Sequence, residues 1–160
     1  MSEKLTVGIS DWKTCNSPDS LITYALGSCV GICLYDPEKK IAGMAHIMLP
    51  LSKEAVQGVD NKRRYADTGI MELIQDMNLQ GASTKRLVAK IAGGAVMFQS
   101  ASAQFNIGER NVEAVRKKLA ELRIPIVAAD TGCNYGRTVT FFADNGALEV
   151  NSASKGRSMI

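Results

Sequence analysis

The aliphatic residues Val, Ile and Leu recur most regularly in the first third of the chain. From residue 30 to residue 35 every second position is Val, Ile or Leu, which is the two-residue period of a β-strand. The turn-forming run Asp-Pro-Glu-Lys follows at 36–39, and a second apolar run extends from 40 to 49. The pattern predicts a β-hairpin with its loop at 36–39, in which Tyr35 pairs with Lys40.

A different period predicts two helices. Apolar residues recur at helical spacing over 65–78, where Gly81 provides a stop, and again over 111–122. The glycine pair at 93–94 predicts a structural turn or a close backbone approach, because it lacks the lysine and the spacing of a phosphate-binding loop. The remaining apolar runs predict short strands at 5–9, 21–26, 86–91, 124–129, 138–143 and 147–150.

Length and composition indicate a globular protein. The 160 residues include 46% hydrophobic and 22% charged residues, a balance that supports a buried core without a metal or disulfide staple. We expect a single domain over residues 1–151. The polar segment 152–160 shows no apolar period and is predicted to be a flexible C-terminal tail.

Charge and hydropathy limit the partners and the cellular location that we expect. The formal net charge is +3, with basic clusters at 62–64 and 116–118, and aromatic residues make up only 6% of the chain. Because no nucleic-acid-binding module is recognisable, we interpret these clusters as solvated faces and expect no nucleic-acid partner. No apolar leader is present, and no run approaches the roughly 18 apolar residues of a membrane helix. We therefore expect a cytoplasmic protein without direct membrane insertion, whose four cysteines are free thiols.

The candidate chemistry lies on the predicted hairpin. Counting along the ladder from the predicted loop places Cys29 directly across from His46, the only histidine in the chain. Directly opposed residues have Cβ atoms roughly 4.5 to 5.5 Å apart, within reach of a hydrogen bond from thiol to imidazole. Gly27 and Ser28 precede the cysteine, and such small residues let a substrate carbonyl approach backbone N–H groups. These residues predict a cysteine nucleophile with a histidine base.

The same residues admit two other interpretations. Buried cysteines and histidines belong to a packed core more often than to a catalytic site. A zinc site formed by Cys29, Cys33, Cys133 and His46 is disfavoured, because structural zinc ligands usually occur in close pairs. We therefore predict no metal and no cofactor.

Five short motifs give the chain a family resemblance. In their order, and over about residues 5–150, they resemble the CheD family of bacterial chemotaxis proteins. The motifs are Leu-Gly-Ser-Cys-Val from Leu26, Ala-His-Ile-Met-Leu-Pro from Ala45, Arg-Tyr-Ala-Asp-Thr from Arg64, Ala-Lys-Ile-Ala-Gly-Gly-Ala from Ala89 and Asn-Ile-Gly-Glu-Arg-Asn from Asn106.

The resemblance implies a fold and an activity. Members of the family are chemoreceptor glutamine deamidases. The implied fold is an α/β (α+β) layered sandwich with mixed, largely antiparallel sheets flanked by two main helices, similar to the catalytic domain of cytotoxic-necrotizing-factor toxins. The family's catalytic cysteine and histidine fall on Cys29 and His46, and its catalytic threonine falls on Thr23. Tyr24 and Ala25 stand where the family pattern has Leu-Gly.

The implied chemistry is hydrolysis of a glutamine side chain through a cysteine thioester. An ordinary thiol, with a pKa of about 8.5, is mostly protonated at pH 7, so we expect His46 to lower the pKa of Cys29 and favour the thiolate. Backbone N–H groups around Gly27, Ser28 and Cys29 would hold the oxyanion. Thr23 would orient the imidazole.

The expected partners are methyl-accepting chemotaxis receptors. Two alternatives to deamidation stay open from the sequence. One is a non-catalytic adaptor that binds receptors and a CheC-type phosphatase. The other is hydrolysis of receptor glutamyl methyl esters, which present the same carbonyl to a thiol. The chain is expected to be a monomer or a heterodimer.

Overall fold

Two β-sheets and two long helices make up the part of the chain that the structure describes. The computed structural model describes residues 1–55, 61–96 and 106–160. The helices are α1 (Ala66–Gln80) and α2 (Ile107–Glu121). Neither of these described helices has the length and hydropathy that crossing a bilayer requires. The strands are β1 (Lys4–Thr6), β2 (Asp11–Asn16), β3 (Ser20–Leu26), β4 (Val30–Asp36), β5 (Ile41–Ile47), β6 (Val88–Gly93), β7 (Ile126–Thr131), β8 (Arg137–Phe142), β9 (Leu148–Ser152) and β10 (Gly156–Met159).

The strands form two five-stranded sheets. The first sheet has the order β1-β3-β8-β9-β10, and the second has the order β2-β5-β4-β6-β7. The pairs β1/β3 and β6/β7 are parallel, and the other neighbouring pairs of described strands are antiparallel. The mixed, largely antiparallel sheets and the two helices confirm the expected fold class.

Two hydrophobic layers hold these elements together. One lies between the two sheets and contains Leu21 and Met44, and the other lies between the second sheet and the helices and contains Ile47 and Leu73. Side chains alternate between the two faces of a strand. His46 on β5 therefore shares the face of Met44 and points into the layer between the sheets.

The predicted hairpin is present as β4 and β5, but its register differs from the prediction. Tyr35 does not pair with Lys40. Gly31, and not Cys29, lies directly across from His46. Cys29 comes before the first residue of β4 and belongs to the loop after β3. The predicted direct opposition of the cysteine and the histidine is wrong, since Cys29 lies two residues before that position.

The acidic residue at the end of β4 explains the shift. The Asp36 carboxylate accepts hydrogen bonds from the N–H groups of Glu38 and Lys39 at 3.0 and 3.2 Å. It also forms an ion pair with Arg86 at 2.8 Å. These contacts keep Asp36 inside the strand, where it pairs with the first residue of β5. The loop consequently lies at 37–40, one residue beyond the predicted position.

The C-terminal segment is a strand, contrary to the predicted flexible tail at 152–160. β10 pairs antiparallel with β9. The N–H and C=O groups of Ile160 hydrogen-bond to the backbone of Leu148 at 2.9 and 3.1 Å, and Lys90 Nζ donates to the Ile160 carbonyl at 2.7 Å. All residues of β10 are exposed. An edge strand without a buried face carries no apolar alternation, so the sequence offered no sign of it.

Candidate active site

A buried chain of hydrogen bonds connects the two sheets. The Oγ1 atom of Thr23 on β3 is 2.7 Å from Nδ1 of His46 on β5. The same Oγ1 is 2.7 Å from the carbonyl oxygen of Val7. Thr23 and His46 are both fully buried. The structure thus brings together two of the three residues that the family resemblance assigned to catalysis.

The hydroxyl of Thr23 decides where the imidazole carries its proton. A hydroxyl has one hydrogen and the Val7 carbonyl can only accept, so the Thr23 O–H donates to Val7. Nδ1 of His46 must then donate to Thr23 Oγ1, because two facing lone pairs at 2.7 Å would repel each other. The neutral imidazole is therefore protonated on Nδ1 and has a lone pair on Nε2.

Nε2 of His46 is available as a proton acceptor. It is buried and has no hydrogen-bond partner among the described residues. Burial between the sheets lowers the pKa of His46 to about 4, because the imidazolium would lose its solvation. His46 is therefore neutral at pH 7, which suits it to accept a proton from a group that reaches Nε2.

A β-bulge leads the chain from the strand that carries Thr23 into the loop that carries Cys29. The register between β3 and β8 shifts between Thr23 and Leu26. Ala25 has a φ of 59°, in the left-handed region that favours glycine. Tyr24 is 52% exposed. The departure from the family's Leu-Gly pattern thus falls on the bulge itself.

The carbonyl groups of the loop hold the candidate nucleophile in place. Gly94 N–H donates to the Cys29 carbonyl, and Ala95 N–H donates to the Gly27 carbonyl, both at 2.8 Å. The Ser28 carbonyl accepts a hydrogen bond from a side chain of α2 at 2.9 Å. Three consecutive carbonyls are anchored in this way, while the Cys29 side chain remains half-buried.

The glycine pair at 93–94 allows this close approach. Gly93 has a φ of 106°, and a Cβ built there would lie 2.3 Å from the Cys29 carbonyl oxygen. A side chain at this position would push away residues 27–29, the candidate nucleophile loop. The predicted close backbone approach is confirmed, and it lies directly against Cys29.

Two backbone N–H groups next to the thiol are the candidate oxyanion donors. The Gly27 N–H donates to the Ala25 carbonyl at 3.0 Å, so it is not available as an oxyanion donor as we had expected. No hydrogen bond joins the Ser28 or the Cys29 N–H to another described residue. Among the described residues the Cys29 N–H contacts only its own sulfur, so the N–H groups of Ser28 and Cys29 are the ones that can bind a developing negative charge.

The charge state of the thiol differs from our expectation. Burial raises the pKa of Cys29 above its usual value, and the hydrogen bond from its own backbone N–H lowers that pKa by less. A neutral His46 supplies no positive charge that would favour the thiolate. The resting site thus contains a protonated thiol and a neutral imidazole, and not the thiolate expected at pH 7.

Sequence analysis missed one buried polar residue at this site. Asn111 on α2 is fully buried, and its Nδ2 donates to the carbonyl oxygens of Ser28 and Met48 at 2.9 Å each. The available signal was a polar residue four and eight positions before Val115 and Leu119, on the buried stripe of the helix.

The other three cysteines differ from Cys29 in their surroundings. All four cysteines are free. Cys15 and Cys33 are buried; burial raises the pKa of Cys15 to about 12 and that of Cys33 further still, and Cys133 is exposed. Within the described ranges, no group of three or more His, Cys, Asp or Glu residues is arranged to hold a metal ion.

Comparison with known proteins identifies relatives over the whole chain. A sequence model described as CheD chemotactic sensory transduction matches residues 48–152. A protein of Lachnoclostridium phytofermentans named "Probable chemoreceptor glutamine deamidase CheD" is 49% identical over 100% of both chains. A protein with the same name from Caldanaerobacter subterraneus subsp. tengcongensis is 52% identical over 97% of this chain and 96% of that protein.

Solved structures provide a more distant match. A Neisseria meningitidis protein of the DUF152 family superimposes with a TM-score of 0.51 at 10% sequence identity. The match covers 81% of this chain and 64% of that chain, so this chain spans less than two thirds of that protein. At this identity the likeness concerns the fold alone.

The two kinds of sequence match complement each other. The family model begins two residues after His46, whereas the relative from Lachnoclostridium also aligns with the segment that contains Thr23 and Cys29. With a model match over most of its length and full-length relatives at 49% and 52% identity, this chain belongs to the CheD family.

Proposed function

We propose that this protein hydrolyses the side-chain amides of glutamine residues on chemoreceptors to glutamate and ammonia. Its full-length relatives carry the name chemoreceptor glutamine deamidase. The observation that carries the proposal is the chain from Val7 through Thr23 to His46, which leaves an unpaired base at Nε2. That base lies on β5, which pairs with β4, and β4 begins at the residue directly after Cys29. A thiol nucleophile needs such a base.

The reaction starts from the neutral thiol and imidazole. Cys29 Sγ attacks the amide carbon while His46 Nε2 takes the thiol proton, so that a C–S bond forms and the carbonyl oxygen becomes an oxyanion. The N–H groups of Ser28 and Cys29 donate to this oxygen. The imidazolium then gives its proton to the amide nitrogen. The C–N bond breaks as the oxyanion re-forms the C=O bond, ammonia departs, and a thioester with Cys29 remains.

Water completes the cycle. His46 Nε2 accepts a proton from water as the water oxygen attacks the thioester carbon, and the imidazolium then returns the proton to the departing Cys29 sulfur. The product is a glutamate side chain and the enzyme is restored. The balance is amide plus water to acid plus ammonia, so these steps require no cofactor.

The pH dependence of the rate is expected to reflect a neutral pair. His46 must be unprotonated to act, and its pKa of about 4 leaves it competent throughout the neutral range. We therefore expect kcat/KM to stay nearly constant from about pH 5 to about pH 8 and to fall as the pH drops toward 4. Ammonia release at constant ionic strength measures the profile. A rise of kcat/KM with a midpoint near pH 6 would instead indicate a thiolate–imidazolium pair and contradict this prediction.

Removal of the Thr23 hydroxyl is expected to lower kcat by about 10- to 100-fold. In Thr23→Val the Nδ1–H loses its acceptor, so the proton can move to Nε2 and the base is lost. Thr23→Ser keeps the hydroxyl and should stay within about threefold of the wild type. Steady-state kinetics with parallel thermal unfolding measures both variants. A loss as large as that of a Cys29 variant would contradict a purely orienting role.

A purified chemoreceptor signalling domain, incubated with the protein, tests the proposed function. Deamidation adds about 1 Da to each modified glutamine and releases ammonia. Methanol release with loss of receptor methyl groups would favour the methylesterase alternative. Receptor binding without any change in mass would favour the adaptor alternative, in which a CheC-type phosphatase is the further partner. We expect the reaction to take place in the cytoplasm.

A further inference from the structure

The peptide groups around Cys29 point their carbonyls to one side. The carbonyls of residues 27–29 accept hydrogen bonds of 2.8 to 2.9 Å from the turn at 94–95 and from Asn111. In a trans peptide the carbonyl of one residue and the N–H of the next point in opposite directions. The N–H groups of Ser28 and Cys29 are therefore directed away from these anchors. The anchoring of the carbonyls orients both candidate oxyanion donors.

Asn111 holds the Ser28–Cys29 peptide and also Met48, the first residue after the strand that carries His46. Its Nδ2 has two hydrogens. One donates to the Ser28 carbonyl, and the other donates to the carbonyl of Met48, two residues after His46, both at 2.9 Å. Asn111 is fully buried, so water does not compete for these bonds. A single side chain thus ties the nucleophile loop to the base strand.

Close packing of α2 holds Asn111 in place. Gly108 packs so closely on the turn at 94–95 that a Cβ there would lie 2.2 Å from the Ala95 carbonyl oxygen. Val115, one turn after Asn111, is fully buried in the layer between α2 and the second sheet. The helix cannot shift relative to the nucleophile loop without losing these contacts.

The remaining polar atom of Asn111 has no partner of its own. Its Oδ1 is buried and has no hydrogen-bond partner among the described residues. An unpaired buried acceptor lowers stability, but an aliphatic side chain would instead leave the Ser28 and Met48 carbonyls without their donors. A side chain with two donor hydrogens serves both carbonyls at once. The arrangement therefore uses the Asn111 amide group to hold the loop.

We infer that Asn111 is a positioning residue for the reaction. It turns the Cys29 N–H toward the oxyanion, and its second bond, to the Met48 carbonyl, fixes the side chain that does so. Because it is buried behind the loop, it acts through Ser28 and Met48 and does not touch the substrate. The inference rests on the proposed deamidase function.

The test separates formation of the oxyanion from reactivity of the thiol. Deamidation depends on both, whereas alkylation of Cys29 by iodoacetamide forms a C–S bond as iodide leaves and builds no oxyanion. For Asn111→Ala we expect kcat for deamidation of a receptor signalling domain to fall about 10- to 100-fold. The KM and the rate of Cys29 alkylation, read by peptide mass, should change by less than about threefold.

Val115→Ala is the matched control, because it removes packing from the same helix and leaves both Asn111 bonds intact. Its melting temperature should fall while its kcat stays within about threefold of the wild type. Asn111→Ser keeps one donor and serves the same comparison if Asn111→Ala does not fold.

Three outcomes would overturn the inference. An unchanged kcat with a lowered melting temperature would make Asn111 a structural residue only. Parallel losses of alkylation and deamidation would place its effect on the thiol and the base and not on the oxyanion. A wild-type protein that produces no ammonia would overturn the deamidase function and this role with it, whereas the first two outcomes would overturn the role alone.

Discussion

Replacing Cys29 by alanine is expected to lower the rate of glutamine deamidation by at least about 10⁴-fold. The thiol is the group that bonds to the amide carbon in the proposed mechanism, and alanine offers no nucleophile. The loop should stay in place, because its contacts with Gly94, Ala95 and Asn111 are made by its own backbone carbonyls. Mass spectrometry of the receptor domain and an assay of released ammonia measure the loss.

Cys133→Ala provides the matched control. Cys133 is a free, exposed cysteine, and no step of the mechanism uses it. Its variant should keep the wild-type rate within about twofold. If Cys29→Ala retained more than about 1% of the wild-type rate, another group would have to serve as the nucleophile, and the mechanism would be wrong.

The same variant separates catalysis from binding. Cys29 is half-buried in an anchored loop, so loss of its sulfur removes little of the surface that a receptor contacts. We expect Cys29→Ala to bind the receptor domain with an affinity close to that of the wild type. A measured affinity in this variant therefore reports how much of an adaptor role exists without chemistry.

Elements with a strong apolar pattern were predictable from the sequence. Aliphatic residues occupy every second position of β4, so the hairpin β4–β5 was predictable. Helix α1 ends just before Gly81, whose φ of 116° is the left-handed cap that the sequence suggested. The edge strands β2 and β10 were missed, because their residues are mostly polar and, apart from the buried Cys15, partly or fully exposed. Each of these two strands buries too little to leave a period in the sequence.

The register of the hairpin depended on a contact that local sequence does not show. Arg86, fifty residues after Asp36, binds the carboxylate that extends β4 by one residue. The resulting shift is two residues along the partner strand, and a shift by two preserves the face of each side chain. The shift therefore left the predicted faces of the strand residues unchanged, whereas the predicted direct opposition of Cys29 and His46 was wrong.

The protonation states of His46 and Cys29 could not be predicted from the sequence. They follow from burial of His46 between the sheets and from the Val7 carbonyl, which fixes the direction of the Thr23 hydroxyl. Both depend on the packing of the first sheet on the second. The family resemblance supplied the identities of Thr23, Cys29 and His46, whereas their charges required the structure.

Replacing His46 by asparagine is expected to lower the deamidation rate by at least about 10³-fold. The asparagine amide nitrogen reaches the position of Nδ1 and can still donate to Thr23, but nothing remains at the position of Nε2 to accept the thiol proton. The buried hydrogen-bond chain to Val7 should therefore persist while the base is lost. Steady-state kinetics measures the loss, and thermal unfolding at pH 7 should show a folded protein.

The same substitution tests the buried neutral histidine through stability. The pKa of His46 is about 4 in the folded protein and 6.5 as an ordinary histidine, so between these pH values the unfolded state binds more protons. The free energy of unfolding of the wild type should therefore decrease as the pH falls from 6.5 toward 4, by up to about 3 kcal/mol from this group. His46→Asn lacks this contribution, so denaturant unfolding should show a shallower pH dependence for the variant. An identical pH dependence in both proteins would mean that His46 is not held neutral. Retained activity in the variant would mean that another group serves as the base.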